Sequence, residues 1–198
     1  MALAGCSVFG IRSGTEEPGY QVVGNVGQVQ IRHYSAHLVA SVAVPGSEIT
    51  ARSAGFRRLA RYIFGANSAN TEISMTAPVV QSAKIAMTAP VAQRRNTAGE
   101  WVISFYMPAK YTRANLPKPE DPGIEIHELP GVNMAVVQFS GVPGVALVEK
   151  AQATLLRALA GSGWEITGAP VTWFYDPPWT LPWARRNEVA VPVQARPP

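Results

Sequence analysis

One cysteine, Cys6, stands in 198 residues. A single thiol excludes an internal disulfide and any zinc cluster built on cysteines. Charge is also scarce, with 15% charged residues against 47% hydrophobic ones. Disordered chains are poor in apolar residues, so this balance excludes extensive disorder. It also supplies a core large enough to stand without disulfides or metals. No run of 18 apolar residues occurs, and no helical membrane span is expected. The net charge of +4 is scattered, and no Lys/Arg run is interleaved with aromatics. That argues against nucleic acid as a partner and suits acidic ligands or an anionic membrane surface. The motif inventory contains no nucleophile–base constellation, no phosphate loop and no DNA-binding helix pair, so neither an enzyme nor a regulator of the usual kinds is expected.

What the chain does have is turn chemistry, 17 prolines and 17 glycines, and regular apolar periodicity. The length fits one domain. Residues 1–19 read as an N-terminal segment or linker, 20–194 as the domain, and 195–198 as a loose tail. Val22, Val23, Val26, Val29 and Ile31 open a β-rich stretch, and Leu38–Val44 reads as a strand ended by Pro45-Gly46. Residues 47–64 switch to a helical period. Ser47 suits the N-cap, Ile49, Phe56, Leu59 and Ile63 share one sector, and Gly65 supplies the stop. Arg57, Arg58 and Arg61 fall on the opposite side.

Two near-identical segments follow, Ile73–Val79 and Ile85–Val91, each carrying Met-Thr-Ala-Pro-Val and set 12 positions apart. Their alternation predicts strands, with Pro78 and Pro90 at an edge or bulge and a local strand pair between them. Met75, Met87, Met107 and Met134 fit core positions better than ligand positions. Further strands are expected at Trp101–Met107, Ile124–Leu129, Asn133–Phe139, Pro170–Tyr175 and Glu188–Val193. Val148, Ala151, Leu155 and Leu159 define a second helix ended by Gly161. The two halves are broadly alike. Helices packed against one largely antiparallel curved sheet make an α+β domain with internal pseudo-symmetry.

Four pieces of sequence, taken in order, resemble the SOUL haem-binding family. They are Ile31-Arg32-His33-Tyr34; Tyr62-Ile63-Phe64-Gly65-Ala66-Asn67 leading into the Met-Thr-Ala-Pro-Val segments; Ile103-Ser104-Phe105-Tyr106-Met107-Pro108; and Tyr175-Asp176-Pro177-Pro178 with Arg185-Arg186-Asn187-Glu188-Val189. The resemblance runs from about Tyr20 to Val193, and the doubled segment is most like bacterial members. It implies a distorted antiparallel β-barrel flanked by two main helices, and an open apolar cleft for haem or a related porphyrin. The implied role is tetrapyrrole binding for transport, buffering or sensing. The alternatives are a haem-degrading enzyme, with the haem itself as reactive centre, and an effector-sensing module for other flat apolar ligands.

Haem needs an apolar wall, cations at the rim for its carboxylates and, optionally, an iron ligand. On the first helix, Ser53, Phe56, Arg57, Ala60, Arg61 and Phe64 are expected to line the cleft. Ala60 lets a flat ring approach, and Arg57 and Arg61 reach propionates. The bland reading of these arginines is a solvated basic face. His33 is the candidate axial ligand, since the resemblance includes members whose histidine in this motif is proposed for that role; otherwise it is a surface strand histidine. His37 and His127 are weaker candidates. Asp176-Pro-Pro and Arg185–Glu188 read as architecture, with Asn187 and Glu188 tying a loop to backbone.

Leu3-Ala4-Gly5-Cys6 resembles a bacterial lipobox, although only five residues precede the cysteine where a basic and an apolar region should stand. Two expectations follow. Either translation starts upstream, Cys6 is lipidated and the protein is anchored on the periplasmic side of a bacterial membrane, or the match is chance and the protein is cytoplasmic.

Overall fold

A computed structural model describes residues 15–83, 100–177 and 179–197. Its strands are β1 (Tyr20–Val26), β2 (Val29–Tyr34), β3 (His37–Pro45), β4 (Val79–Ala83), β5 (Glu100–Tyr106), β6 (Ile124–Leu129), β7 (Val132–Phe139), β8 (Trp164–Ile166), β9 (Val171–Phe174) and β10 (Asn187–Ala195). Helix α1 (Glu48–Ile63) follows β3, and α2 (Val145–Leu159) follows β7. The strands form one sheet in the order β1-β2-β7-β10-β9-β4-β5-β3-β6, with β8 added to β10. Every pairing of these strands is antiparallel. The sheet curves without closing its hydrogen-bond ladder, so the barrel is approximate.

Each helix covers one half of the outer face. Ala40, Val42, Val44, Ile103 and Phe105 meet Ala51, Leu59, Tyr62 and Ile63 of α1. Val29, Ile31, Ala135, Val137, Val189 and Val191 meet Val148, Ala151, Leu155 and Leu159 of α2. The α+β class and the likeness of the halves therefore stand. The opposite face of β2, β7, β9 and β10 forms a third cluster around Tyr34, Val136, Trp173 and Ala190.

Local signals set the helix ends. The Ser47 hydroxyl accepts from Thr50 N–H at 3.4 Å, and Gly65 after α1 adopts φ +115°, a left-handed conformation open to glycine. Buried Asn67 closes the next turn. It donates through Nδ2 to Tyr62 O and Thr71 O and accepts through Oδ1 from Ala69 and Thr71 N–H.

Four expectations need correction. The buried row of α1 is Ala51, Gly55, Leu59, Tyr62 and Ile63, while Ile49 and Phe56 are 51% and 37% exposed. The reason is Gly55: a Cβ there would lie 2.4 Å from Ile103 Cγ1, so the helix seats on its small residues and turns Phe56 to the rim. Residues 73–78 form no strand beyond an isolated parallel bridge of Thr76 with Glu16, and the strand begins at Val79. Pro78 has no N–H for a ladder, Thr76 Oγ1 donates to Tyr106 O at 2.5 Å, and Met75 is 37% exposed rather than core. The second copy, with Met87 and Pro90, lies outside the described residues. Residues 15–19 are not a bare linker, since Glu16 O accepts from Ala77 N–H and Glu17 pairs with Arg186 at 3.0 Å. The C-terminal strand runs on through Ala195, and Arg196 N–H donates to Gly163 O, so the tail is bonded that far.

Candidate functional site

The later half of α1 borders an open groove of about 500 Å³. It is lined by Phe56, Arg57, Ala60, Arg61, Phe64 and Ala66. Five of these were expected from the sequence; Ala66 was missed, although it sits in the same Tyr62–Asn67 run. The rotation imposed by Gly55 builds the apolar wall. Phe56 leans edge-on against Phe105 with ring centroids 5.4 Å apart, and Phe64 just past the helix end is 62% exposed. Ala60 and Ala66 leave the floor shallow.

The three arginines of this helix divide. Arg58 grips Asp121 through Nε and Nη2, both at 2.7 Å. The hydrogen bond from Arg58 holds the Asp121 carboxyl below the usual carboxylate range, and the Arg61 charge adds to this. Arg57 and Arg61 are exposed and have no hydrogen-bond or ion-pair partner among the described residues. The groove therefore combines an apolar wall with two cations. That composition fits a flat ring carrying two carboxylates, and its volume falls in the common range for small-molecule sites.

Other expected residues stand elsewhere. Ser53 is not in the lining; its hydroxyl donates to Ile49 O within α1 at 3.2 Å. His33 is exposed on β2, its Nδ1 2.8 Å from Asn133 Oδ1, and β2 pairs with β1 and β7 rather than with the strands under α1. The structure does not bring His33 to the groove. The break at Ser35-Ala36 separates His37 from β2, and its ring packs edge-on to Tyr106. His127 is half-buried on β6, which pairs with β3. Among the described residues, no histidine, cysteine or methionine lines the groove. Among the described residues, no group of three or more His, Cys, Asp or Glu is arranged to hold a metal ion. Cys6 lies outside the described residues.

The Arg32–Glu188 pair forms a second polar centre that sequence reasoning missed. Glu188 is fully buried, and its carboxylate accepts from Arg32 Nη1 and Nη2 at 2.9 and 3.1 Å, from Tyr175 Oη at 2.8 Å and from Arg186 Nε at 3.1 Å. Burial works against the Arg32 charge, but Glu188 raises its pKa overall. Burial pushes the Tyr34 hydroxyl up to about 12. A small cavity beside this centre is lined by Glu17, Tyr20, Tyr34, Tyr106, Trp173 and Tyr175 and is barely large enough for one water. Arg32 and Arg186 already stack on Tyr20 and Tyr175 at 4.4 and 3.8 Å. Both carboxylates there are paired, so the centre reads as a structural knot. Asn187 does tie a loop to backbone, donating to Gly141 O at 3.0 Å, whereas Glu188 bonds to side chains.

Comparison with solved structures shows the fold at low identity. The EcmrR C-terminal domain is 16% identical with a TM-score of 0.57, covering 89% of this chain and 98% of that one. A hydrolase encoded by lin2189 from Listeria innocua is 8% identical with a TM-score of 0.57, covering 84% and 92%. An uncharacterized conserved protein from Listeria innocua is 11% identical with a TM-score of 0.52, covering 92% and 94%. Among curated proteins, none matches the chain significantly by sequence. The family described as SOUL heme-binding protein matches residues 15–192. With nearly the whole chain matched and the curved sheet and paired helices in place, this protein belongs to the SOUL haem-binding family.

Proposed function

We propose that the chain binds haem or a related tetrapyrrole in the groove along α1, for transport, buffering or sensing. The observation that carries this reading is the pairing of a Phe56–Ala60–Phe64 wall with Arg57 and Arg61, two exposed cations with no hydrogen-bond or ion-pair partner among the described residues. The wall takes one face of the ring, and the arginines take the propionates by charge-assisted hydrogen bonds. Bound haem would supply the iron and its chemistry; among the described residues, the groove lining holds no iron ligand. Binding then rests on apolar contact and the propionates, with His33 outside the site. Membership of a haem-binding family favours a binding role over haem degradation.

Titration with haem and with porphyrin dimethyl ester tests the reading. R57A/R61A should weaken haem binding by about 1–3 kcal/mol and hardly change ester binding. His33→Ala should leave the Soret band in place. Equal losses for both ligands would contradict the propionate role, and a shifted band in His33→Ala would restore His33 as a ligand.

We also propose lipidation of Cys6, which would place the protein on the periplasmic side of a bacterial membrane. In-frame upstream DNA should then encode a start codon, a basic residue and an apolar run. A stop codon directly before Met1 would contradict this and favour the cytoplasm.

A further inference from the structure

The loop that joins β5 to β6 is stitched along the end of α1. Tyr62 Oη donates to Pro117 O at 2.7 Å, Ser68 N–H donates to Lys118 O at 2.9 Å, and Lys118 N–H donates back to Ser68 Oγ at 3.0 Å. Asn67 and Pro119 form an antiparallel bridge, and Glu120 N–H donates to Ala66 O at 3.2 Å. Ala66 lines the groove, so the loop reaches the groove's edge. There Asp121 accepts both bonds from Arg58, and Gly123 N–H steadies the same carboxylate at 2.9 Å. The fit is close, since a Cβ on Gly123 would lie 2.3 Å from Arg58 Nη2. Helical geometry relates this grip to the groove. At 3.6 residues per turn, Arg61 lies about 40° around α1 from Arg57, and Arg58 about 60° further on. Phe56 and Ala60 lie on the other side of Arg57. The apolar wall is thus followed by three arginines in a row, and only the outermost, Arg58, is held by a carboxylate among the described residues.

We propose that Asp121 sets the selectivity of the groove for carboxylate number: by holding Arg58 it keeps the cationic rim to Arg57 and Arg61, and so favours tetrapyrroles with two carboxylates over those with four. This rests on tetrapyrrole binding at the groove. Asp121 acts through Arg58 and touches no ligand itself, so it is a positioning residue. A ring with two propionates on one edge matches two arginines one helical turn apart. A ring with four carboxylates must place the others over the Phe56–Ala60 wall, where they lose water without gaining a partner, or toward Asp121, where they meet a like charge. Asp121 also faces the Arg61 charge, which helps to keep its carboxyl ionised, although the bond from Arg58 is the larger cause. Neutralising Asp121 therefore releases one cation and relieves another.

The full chain is titrated with three iron-free ligands: protoporphyrin IX with two carboxylates, coproporphyrin III with four, and coproporphyrin tetramethyl ester with none. The wild type should bind protoporphyrin tighter than coproporphyrin. Asp121→Asn should tighten coproporphyrin about three- to fivefold relative to protoporphyrin, the scale of one exposed charge pair. The ester should bind alike to both proteins. R58A/D121N, with no arginine to release, should return the ratio to its wild-type value. Glu120→Gln, an equal change of net charge at an exposed residue of the same loop, should leave the ratio unchanged. Arg58→Ala alone leaves Asp121 to turn on Arg61, so it should weaken protoporphyrin about threefold and spare the ester. That variant carries the test if Asp121→Asn fails to fold by circular dichroism. The proposal is overturned by a wild type that prefers coproporphyrin, by an unchanged ratio in folded Asp121→Asn, or by the same gain in Glu120→Gln or R58A/D121N. A wild type that binds none of the three ligands overturns the tetrapyrrole reading itself, and the proposal with it.

Discussion

Arg32 of β2 and Glu188 of β10 form a two-pronged ion pair across 156 positions of sequence, with Nη1–Oε2 at 2.9 Å and both side chains at most 5% exposed. The two strands are not neighbours; β7 runs between them. The pair therefore fixes the spacing of three strands on the face opposite α2. It also joins two of the pieces by which the family is recognised, the Ile31–Tyr34 and Arg185–Val189 runs. Their shared task is architectural.

Breaking that pair from one side should be costly. Glu188→Gln removes the charge that Arg32 and Arg186 face in a buried site, and stability should fall by about 3–5 kcal/mol. Urea unfolding measures it. A loss under about 1 kcal/mol would mean that the pair contributes no more than a surface salt bridge.

The seat of α1 is tested at Gly55. Alanine is a better helix former than glycine by about 1 kcal/mol, so an open site would gain stability. Here the new Cβ would sit 2.4 Å from Ile103 Cγ1. Gly55→Ala should instead lose about 1–3 kcal/mol through overpacking. A stabilised Gly55→Ala would contradict the close approach that turns Phe56 into the groove.

Acid should weaken the Arg58–Asp121 clasp. The folded-state pKa of Asp121 is depressed, first by the hydrogen bond from Arg58. Its contribution is therefore present above the ordinary carboxylate value of about 4 and is lost as pH falls through the depressed one. Both side chains are about one-third exposed, so Asp121→Asn should cost under about 1 kcal/mol at neutral pH. The gap between wild type and Asp121→Asn should narrow as unfolding is measured below pH 4. A gap that widens toward acid would contradict the assignment.

Much of this was legible in the sequence. The α2 stripe Val148, Ala151, Leu155 and Leu159 is the buried row observed, and Ser47 and Gly65 bound α1 as their chemistry suggests. Such features are local. What was hidden depends on contacts between distant segments. The row that α1 buries is decided by Ile103 beneath Gly55, and hydrophobicity alone favoured the larger Phe56. Ala51 and Gly55, one helical turn apart, were the available hint. Arg32 and Glu188 showed nothing in sequence to pair them. Strand β8 is only three residues long and gave no periodic signal. Arg57, Ala60 and Phe64 were expected at the groove because they share a helix flank with Ser53, which the lining leaves out, whereas His33 was attached to them by resemblance and the strand order sets it apart.

The central claim is that tetrapyrrole binds against α1 at Ala60, and one titration addresses it most directly. Ala60→Trp fills the shallow floor between Phe56 and Phe64 without touching Arg57 or Arg61. With unchanged circular dichroism, this variant should lose binding of both haem and iron-free protoporphyrin, because both need the same apolar wall. Wild-type affinity for the two ligands in a folded Ala60→Trp protein would contradict the account and move the site off this helix.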